Sequence, residues 1–373
     1  MAATKRNGLR ARLADKHVCI CLGAGGVGKT TTSAALALGL AAAGQKVAVV
    51  TIDPAERLAA ALGLRGLSYE PRQIDPQLFA AQGVAMEGEM WAMMLDAKRT
   101  LDDAVARLAP DEASRREILS NKIYRELSSA VAGSQELSAI VKLYELHHEG
   151  DFDVIVLDTP PSRNALDFLD APNRMLSFLE GRALKMFIAP GGLTARLLGR
   201  STGLVFSIFA RVTGVDLLAD LSVFFRSLSG VLDGFGERTR EVAELLRDRD
   251  TTFLVVTSAE TDPAREAVFL ARRLSDAHMS RGGLIVNRFH SDGLGGYSAG
   301  EATALLEPEL GDRLATRVAA NLADFDVLAR RDQASLRLLE GELHERTPVL
   351  VPHLDEDVHD LAGLARVAEH LLV

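Results

Sequence analysis

Residues 18–42 read VCICLGAGGVGKTTTSAALALGLAA: an apolar run, a turn with four glycines among six residues, and an alanine- and leucine-rich segment of helical character. No other stretch restricts the fold as strongly. Gly23, Gly28, Lys29 and Thr30 satisfy the spacing G-x-x-x-x-G-K-[ST], in the strand–turn–helix context that this spacing requires. In such a turn the backbone N–H groups of Gly23, Gly25, Gly26, Val27 and Gly28 can converge on phosphate oxygens, because few Cβ atoms obstruct them. The helix that follows adds its positive end. Lys29 is expected on the β- and γ-phosphates, the Thr30 hydroxyl on Mg2+, and Thr31 near the α-phosphate. The alternative, a chance match in a glycine-rich turn, does not account for the strand before it and the helix after it.

Apolar runs rich in Val and Ile recur at 17–22, 46–52, 90–95, 153–158, 252–258, 282–287 and 348–353. Bounded by Gly, Pro or Asp, they read as strands buried on both faces. Helical segments between them predict βαβ crossovers and an α/β fold: a doubly wound, mostly parallel sheet of the P-loop NTPase type. Two stretches, about 98–149 and 164–249, read as helical and predict an inserted helical subdomain, the second broken by IAPGG at 188–192. Residues 1–16 are expected as a flexible basic arm and 17–373 as a single domain. Ligands of such sheets gather at the carboxyl ends of the strands, here the loops after residues 22, 52, 158, 258, 287 and 352.

Two of those loops carry carboxylates. Asp158 closes DVIVLD and suits a Walker-B position that holds the Mg2+ shell; capping the next segment is the competing role. Asp53 closes KVAVVTID, where a carboxylate can orient or deprotonate an attacking water; it can equally cap the helix beginning PAERLAAALG.

The net charge of −9 argues against non-specific binding to nucleic acid or to anionic lipid. Cys19 and Cys21, the two cysteines, cannot form a disulfide framework, so a reducing interior is expected; two apart on a strand, they share a face and suit small core positions. With no signal peptide and no uncharged run near the ~18 residues of a membrane helix, a cytoplasmic protein is expected. Nine histidines without close Cys or His company give no metal site, and His147–His148 read as a solvated helix end.

GAGGVGKTTT, TIDPAERLAAALG (51–63), DTPPSRNALDFLDAP (158–172), IVNR (285–288) and VPHLDEDVHDLAGL (351–364) stand in the order found in the arsenite-pump and tail-anchored-protein-targeting ATPases. The chain resembles that family from about residue 17 onward. The resemblance implies a dimeric Mg2+-dependent ATPase that binds ATP and ADP. It also implies Asp53 as the water-activating aspartate of one switch and Asp158–Pro161 as the start of the other. Asn287 would stand on the adenine edge, and the backbone after Pro352 would close over the base. Arg163 and Asn164 stand where relatives have Gly-His. The C-x-x-C zinc clasp of the targeting ATPases is missing, so no zinc is expected, and the thiols that bind arsenite in the pumps are missing too.

In relatives reading GKGGVGKT the second residue is a lysine that reaches the partner's nucleotide; here it is Ala24. A cation supplied across an interface is worth a factor of ~10³–10⁵ in arginine-finger systems. The resemblance therefore implies a heterodimer with a lysine-bearing paralogue, which would complete the site containing Lys29, Asp53 and Asp158. The alternative is a homodimer in which another cation, such as Arg57, substitutes. A non-catalytic regulatory subunit and an anion-efflux subunit are the other functional readings.

Leu221, Phe224, Phe225, Leu228, Val231, Leu232 and Phe235 form an apolar stripe at helical spacing, as do Leu204, Val205, Ile208, Phe209 and Val212. Both stripes suit the core of the helical part, or a groove for a hydrophobic client helix such as the targeting ATPases build.

Overall fold

A computed structural model describes residues 8–52, 55–131, 135–159, 162–181, 224–225, 228–344 and 347–372. Its centre is an eight-stranded sheet: β1 (Val18–Gly23), β2 (Lys46–Thr51), β3 (Arg72–Gln73), β4 (Glu89–Met94), β5 (Val154–Asp158), β6 (Thr251–Ser258), β7 (Arg281–Phe289) and β8 (Val349–Pro352). The order is β3-β4-β2-β5-β1-β6-β7-β8. Every neighbouring pair is parallel except β3 with β4, which is antiparallel. All seven apolar runs of the sequence are strands. β3 is the addition: two exposed residues at the sheet edge, without an apolar face to give a pattern.

Burial on both faces explains the unbroken apolar sequence of the central strands. All six residues of β1 and all eight of β6 are buried. From β1 the chain moves to β2 on one side, and from β5 it crosses to β6 on the other. The carboxyl end of β1 is thus where strand order reverses, the place a doubly wound sheet opens a crevice. The register links the ends of five strands there: Thr51 and Cys21 both pair with Asp158, Gly23 with Val256, and Ser258 with Asn287.

The helix Lys29–Ala42 buries ten of its residues, which its Ala-rich sequence permits by close approach to the sheet. One core joins it to β1, β2, β4 and β5 and to the last helix, Leu361–Leu371. Cys19 and Cys21 are fully buried in this core. Burial pushes the Cys21 thiol up to about 12 and that of Cys19 higher still.

The amino-terminal region differs from expectation. Leu9–Leu13, within the stretch read as a flexible arm, form a short helix whose Leu9 and Leu13 are buried in the core. Arg12 ties this turn to the Gly282 carbonyl at 3.3 Å and to Thr347. Of the basic residues that suggest a loose arm, Arg10 is exposed and Arg12 half-buried in a turn that buries its two leucines.

The chain divides into two compact units. The first holds the sheet and comprises residues 1–94, 152–166 and 247–373; the second comprises 95–151 and 167–246. Described helices of the second unit include Ala97–Leu108, Glu112–Ser120, Lys122–Val131, Gln135–Glu149 and Ser229–Leu245, with the helix Ser162–Leu179 entering it from the first. Phe224, Leu228 and Val231 pack in a core with Val105, Ile118 and Tyr124, and Phe225 and Leu232 lie against it. This described part of the apolar stripe is core. Leu221 and the whole upstream stripe, Leu204 to Val212, lie outside the described residues, as does the IAPGG break. At the helix end, His148 is exposed and stacks on Tyr144 at 4.2 Å, whereas His147 is half-buried. No described helix is long and apolar enough to cross a membrane.

Candidate functional site

The turn from Gly23 to Gly28 leaves the end of β1 and opens the helix Lys29–Ala42. Gly23 lies against β6, where a Cβ would meet the Val256 carbonyl oxygen at 2.1 Å. Gly26 and Gly28 have φ of +81° and +88°, values that favour glycine, and Gly28 occupies the N-cap position. Positive φ at glycines in such a turn is the kind of backbone that can form an anion-binding concavity of amide hydrogens. Lys29 is buried and donates from Nζ to the Ala24 carbonyl at 2.8 Å, across the mouth of the turn. The methyl of Ala24 is buried in the core. Thr31 is half-buried on the first turn of the helix.

Asp158 is fully buried at the end of β5. Its Oδ2 accepts from Thr30 Oγ1 at 2.7 Å and Thr51 Oγ1 at 3.0 Å, and its Oδ1 from Ser33 Oγ at 3.5 Å. The partners of the carboxylate include side chains of β2 and of the glycine-turn helix. Ser33 and Thr51 escaped the sequence reading, although Ser33, three residues after Thr30, shares its helix face. A buried carboxylate beside a threonine hydroxyl is a hard-oxygen donor set of the kind that suits Mg2+. Asp53, two residues beyond Thr51, lies outside the described residues, and so do Pro161 and the side chains of Arg57, Arg163 and Asn164.

Asn287, near the end of β7, is buried and donates from Nδ2 to the Val27 carbonyl at 2.9 Å, while its Oδ1 accepts from the Arg288 amide at 3.0 Å. Arg288, with φ of +55°, directs its guanidinium to the Gly26 carbonyl at 3.5 Å. Pro352 ends β8 paired with Phe289, and the next residue, His353, donates its amide to the Phe289 carbonyl at 3.0 Å.

Beside the turn, a cleft of about 350 Å³ is lined by Gly25–Val27, Ser258–Glu260, Arg288, His290, Asp332 and His353, among others. That volume lies within the range of about 300–1,000 Å³ usual for small-molecule sites. His290 donates to Asp332 Oδ2 from its main-chain amide at 3.0 Å and meets the same oxygen through Nδ1 at 2.8 Å. Arg331 donates to Oδ1 through Nε at 3.1 Å and a terminal nitrogen at 2.9 Å. Burial acts to raise the Asp332 carboxyl, but the hydrogen bonds from His290 and Arg331 outweigh it and hold the group below its ordinary 3.8. The rings of His290 and His353 stack at 4.9 Å and 26°. No motif announced this cluster: His290 and Asp332 are 42 residues apart and meet only through the long helix Asp312–Leu343.

A parallel sheet with a glycine-rich turn at its switch point, followed by a Lys-Thr helix start and faced by a strand-end aspartate, defines a P-loop NTPase of the α/β class. Residues 16–294 match the model of the anion-transporting ATPase family, and the chain belongs to that family. It is similar to the ATPase GET3 of Malassezia globosa, 27% identical over 271 residues that cover 72% of this chain and 71% of the relative. It is also similar to a putative arsenical pump-driving ATPase 1 of Aquifex aeolicus, 27% identical over 63% of this chain and 54% of that one. An uncharacterized protein, SCO2128, of Streptomyces coelicolor is 31% identical over 186 residues, 48% of this chain and 43% of its own length.

Proposed function

We propose that the chain is a cytoplasmic Mg2+-dependent ATPase that hydrolyses ATP to ADP and phosphate and couples the reaction to rearrangement of a dimer acting on a protein client or partner. The observation that carries this reading is the meeting of Thr30 and Asp158 at 2.7 Å beneath the glycine turn that holds Lys29. Gly23, Gly25, Gly26, Val27 and Gly28 cradle the phosphates with backbone amides, Lys29 supplies the ammonium at the β- and γ-phosphates, and Thr31 lies by the α-phosphate. Thr30 and Asp158 hold the metal, which when bound would draw charge off the γ-phosphate. Asp53 orients the attacking water and takes its proton. Asn287, whose amide nitrogen bears a second hydrogen beyond the one given to Val27, and the backbone after Pro352 border the adenine. Two switches, at Asp53 and at Asp158–Pro161, would carry the state of the γ-phosphate to the helical unit.

Ala24 sets the requirement for a partner. With a buried methyl at that position the chain gives no ammonium to a second site, so the reading includes pairing with a paralogue that carries lysine there. The test is hydrolysis by the purified chain alone and mixed with the candidate paralogue, together with Asp53→Asn. A rate that rises on mixing, and an Asp53→Asn variant that binds ATP without turnover, are expected. Equal rates alone and mixed would remove the heterodimer, and unchanged turnover in the variant would remove Asp53 from the chemistry.

A further inference from the structure

We propose that His290, held in one tautomer by Asp332, reads the base of the nucleotide by accepting a hydrogen bond from the 6-amino group of adenine. This assignment rests on reading the cleft as the ATP site and names the atom that would make it selective for adenine.

The geometry sets the chemistry of the ring. Asp332 is 1% exposed and held ionised by its donors, so the ring nitrogen 2.8 Å from its Oδ2 carries the hydrogen. In the neutral ring the other nitrogen, Nε2, then has only a lone pair. The His290 main chain also donates to that carboxylate oxygen and Arg331 grips the other, so the acceptor is fixed in place from three directions. Among the described residues no side chain donates to Nε2, and His290 lines the same cleft as the phosphate-loop residues Gly25–Val27.

A fixed acceptor discriminates between purines. Adenine presents a donor N–H at its 6-position, whereas guanine presents a carbonyl oxygen there. Two acceptors brought together leave both unpaired, and a site built around one hydrogen-bonding sense rejects the ligand lacking it more strongly than an apolar pocket does. Asp332 touches no ligand in this account. It is a positioning residue that fixes the ring and its tautomer.

The test is calorimetric titration of the full chain with Mg2+ and ATP, GTP, 2′-deoxy-ATP, or purine riboside triphosphate, which lacks the 6-amino group. The expected result is ATP and its deoxy form binding alike, and the des-amino analogue about tenfold more weakly. In His290→Ala the gap between ATP and the des-amino analogue should close. Nitrogen-15 chemical shifts of the His290 ring should show a single protonated Nδ1 in the parent chain and mixed tautomers in Asp332→Ala. Equal affinity of the parent chain for ATP and the des-amino analogue would overturn the assignment, as would equal loss of both ligands in His290→Ala or a gap that follows the 2′-hydroxyl instead. Failure of every triphosphate to bind would remove the phosphate-loop reading itself, an outcome distinct from loss of selectivity alone.

Discussion

The side-chain amide of Asn287 donates to the main-chain carbonyl of Val27 at 2.9 Å, joining residues 260 positions apart in sequence. The end of β7 is thereby tied to the phosphate loop. Asn287→Ala leaves the buried Val27 carbonyl without this donor, which costs about 1–3 kcal/mol for a buried polar group. We expect a lower melting temperature together with ATP affinity weakened by about tenfold, read by thermal denaturation and calorimetry. Unchanged affinity in a destabilised variant would confine Asn287 to a structural role.

Gly26 and Gly28 separate two effects of a side chain in the loop. A Cβ on Gly26 meets nothing within 4 Å, so Gly26→Ala bears only the left-handed backbone, a cost of about 1–2 kcal/mol. A Cβ on Gly28 would lie 2.3 Å from the Asn287 amide nitrogen, so Gly28→Ala bears the same strain and also displaces Asn287. Gly28→Ala is expected to be the more destabilised of the two and to lose nucleotide binding. Denaturant titration of both variants checks the order.

The two thiols should be silent in the native protein. With its thiol raised from 9.0 to about 12, Cys21 carries almost no thiolate at neutral pH, and Cys19 is more strongly suppressed. A colorimetric thiol reagent at pH 8 should label neither until denaturant is added. The folded state binds these protons more tightly than the unfolded state. Their contribution is therefore intact below pH 9 and is lost as pH rises from 9 toward 12.

Asp332 makes the opposite contribution. Its folded carboxyl lies below 3.8, so the stability it adds is present above that value and is lost as pH falls through 3.8 to the folded value. Asp332→Asn should be less stable than the parent at pH 7, and the difference should narrow in acid. Thermal unfolding between pH 7 and pH 3 provides the comparison; a difference that stays constant would place the effect in packing instead.

The sheet was legible because a strand buried on both faces leaves an uninterrupted apolar record, as in β1 and β6, and the phosphate loop because its spacing is set by the ligand it wraps. Asp158 could be placed at a strand end but not its company: Thr51 reaches it through strand register. The buried turn Leu9–Leu13 was missed because five residues are too few to show a helical period. β3 was missed because an exposed edge pair needs no apolar alternation. The His290–Asp332 contact left no local trace, since tertiary packing of a long helix alone brings the two together. Part of the stripe at Phe224–Leu232 carried a pattern common to cores and to grooves, and only its packing partners distinguish them.

The second unit is built from two internal detours of the chain, one leaving after Met94 and returning at Phe152, the other leaving after Leu166 and returning at Arg247. Trimming from either terminus thus erodes sheet before it reaches those helices. Shedding the helical part while keeping the nucleotide core calls for two separate excisions. The short stretch that bridges the detours, 152–166, carries β5 and Asp158. A lineage or an engineer remodelling the helices must therefore splice on both flanks of the buried Asp158 carboxylate without shifting it.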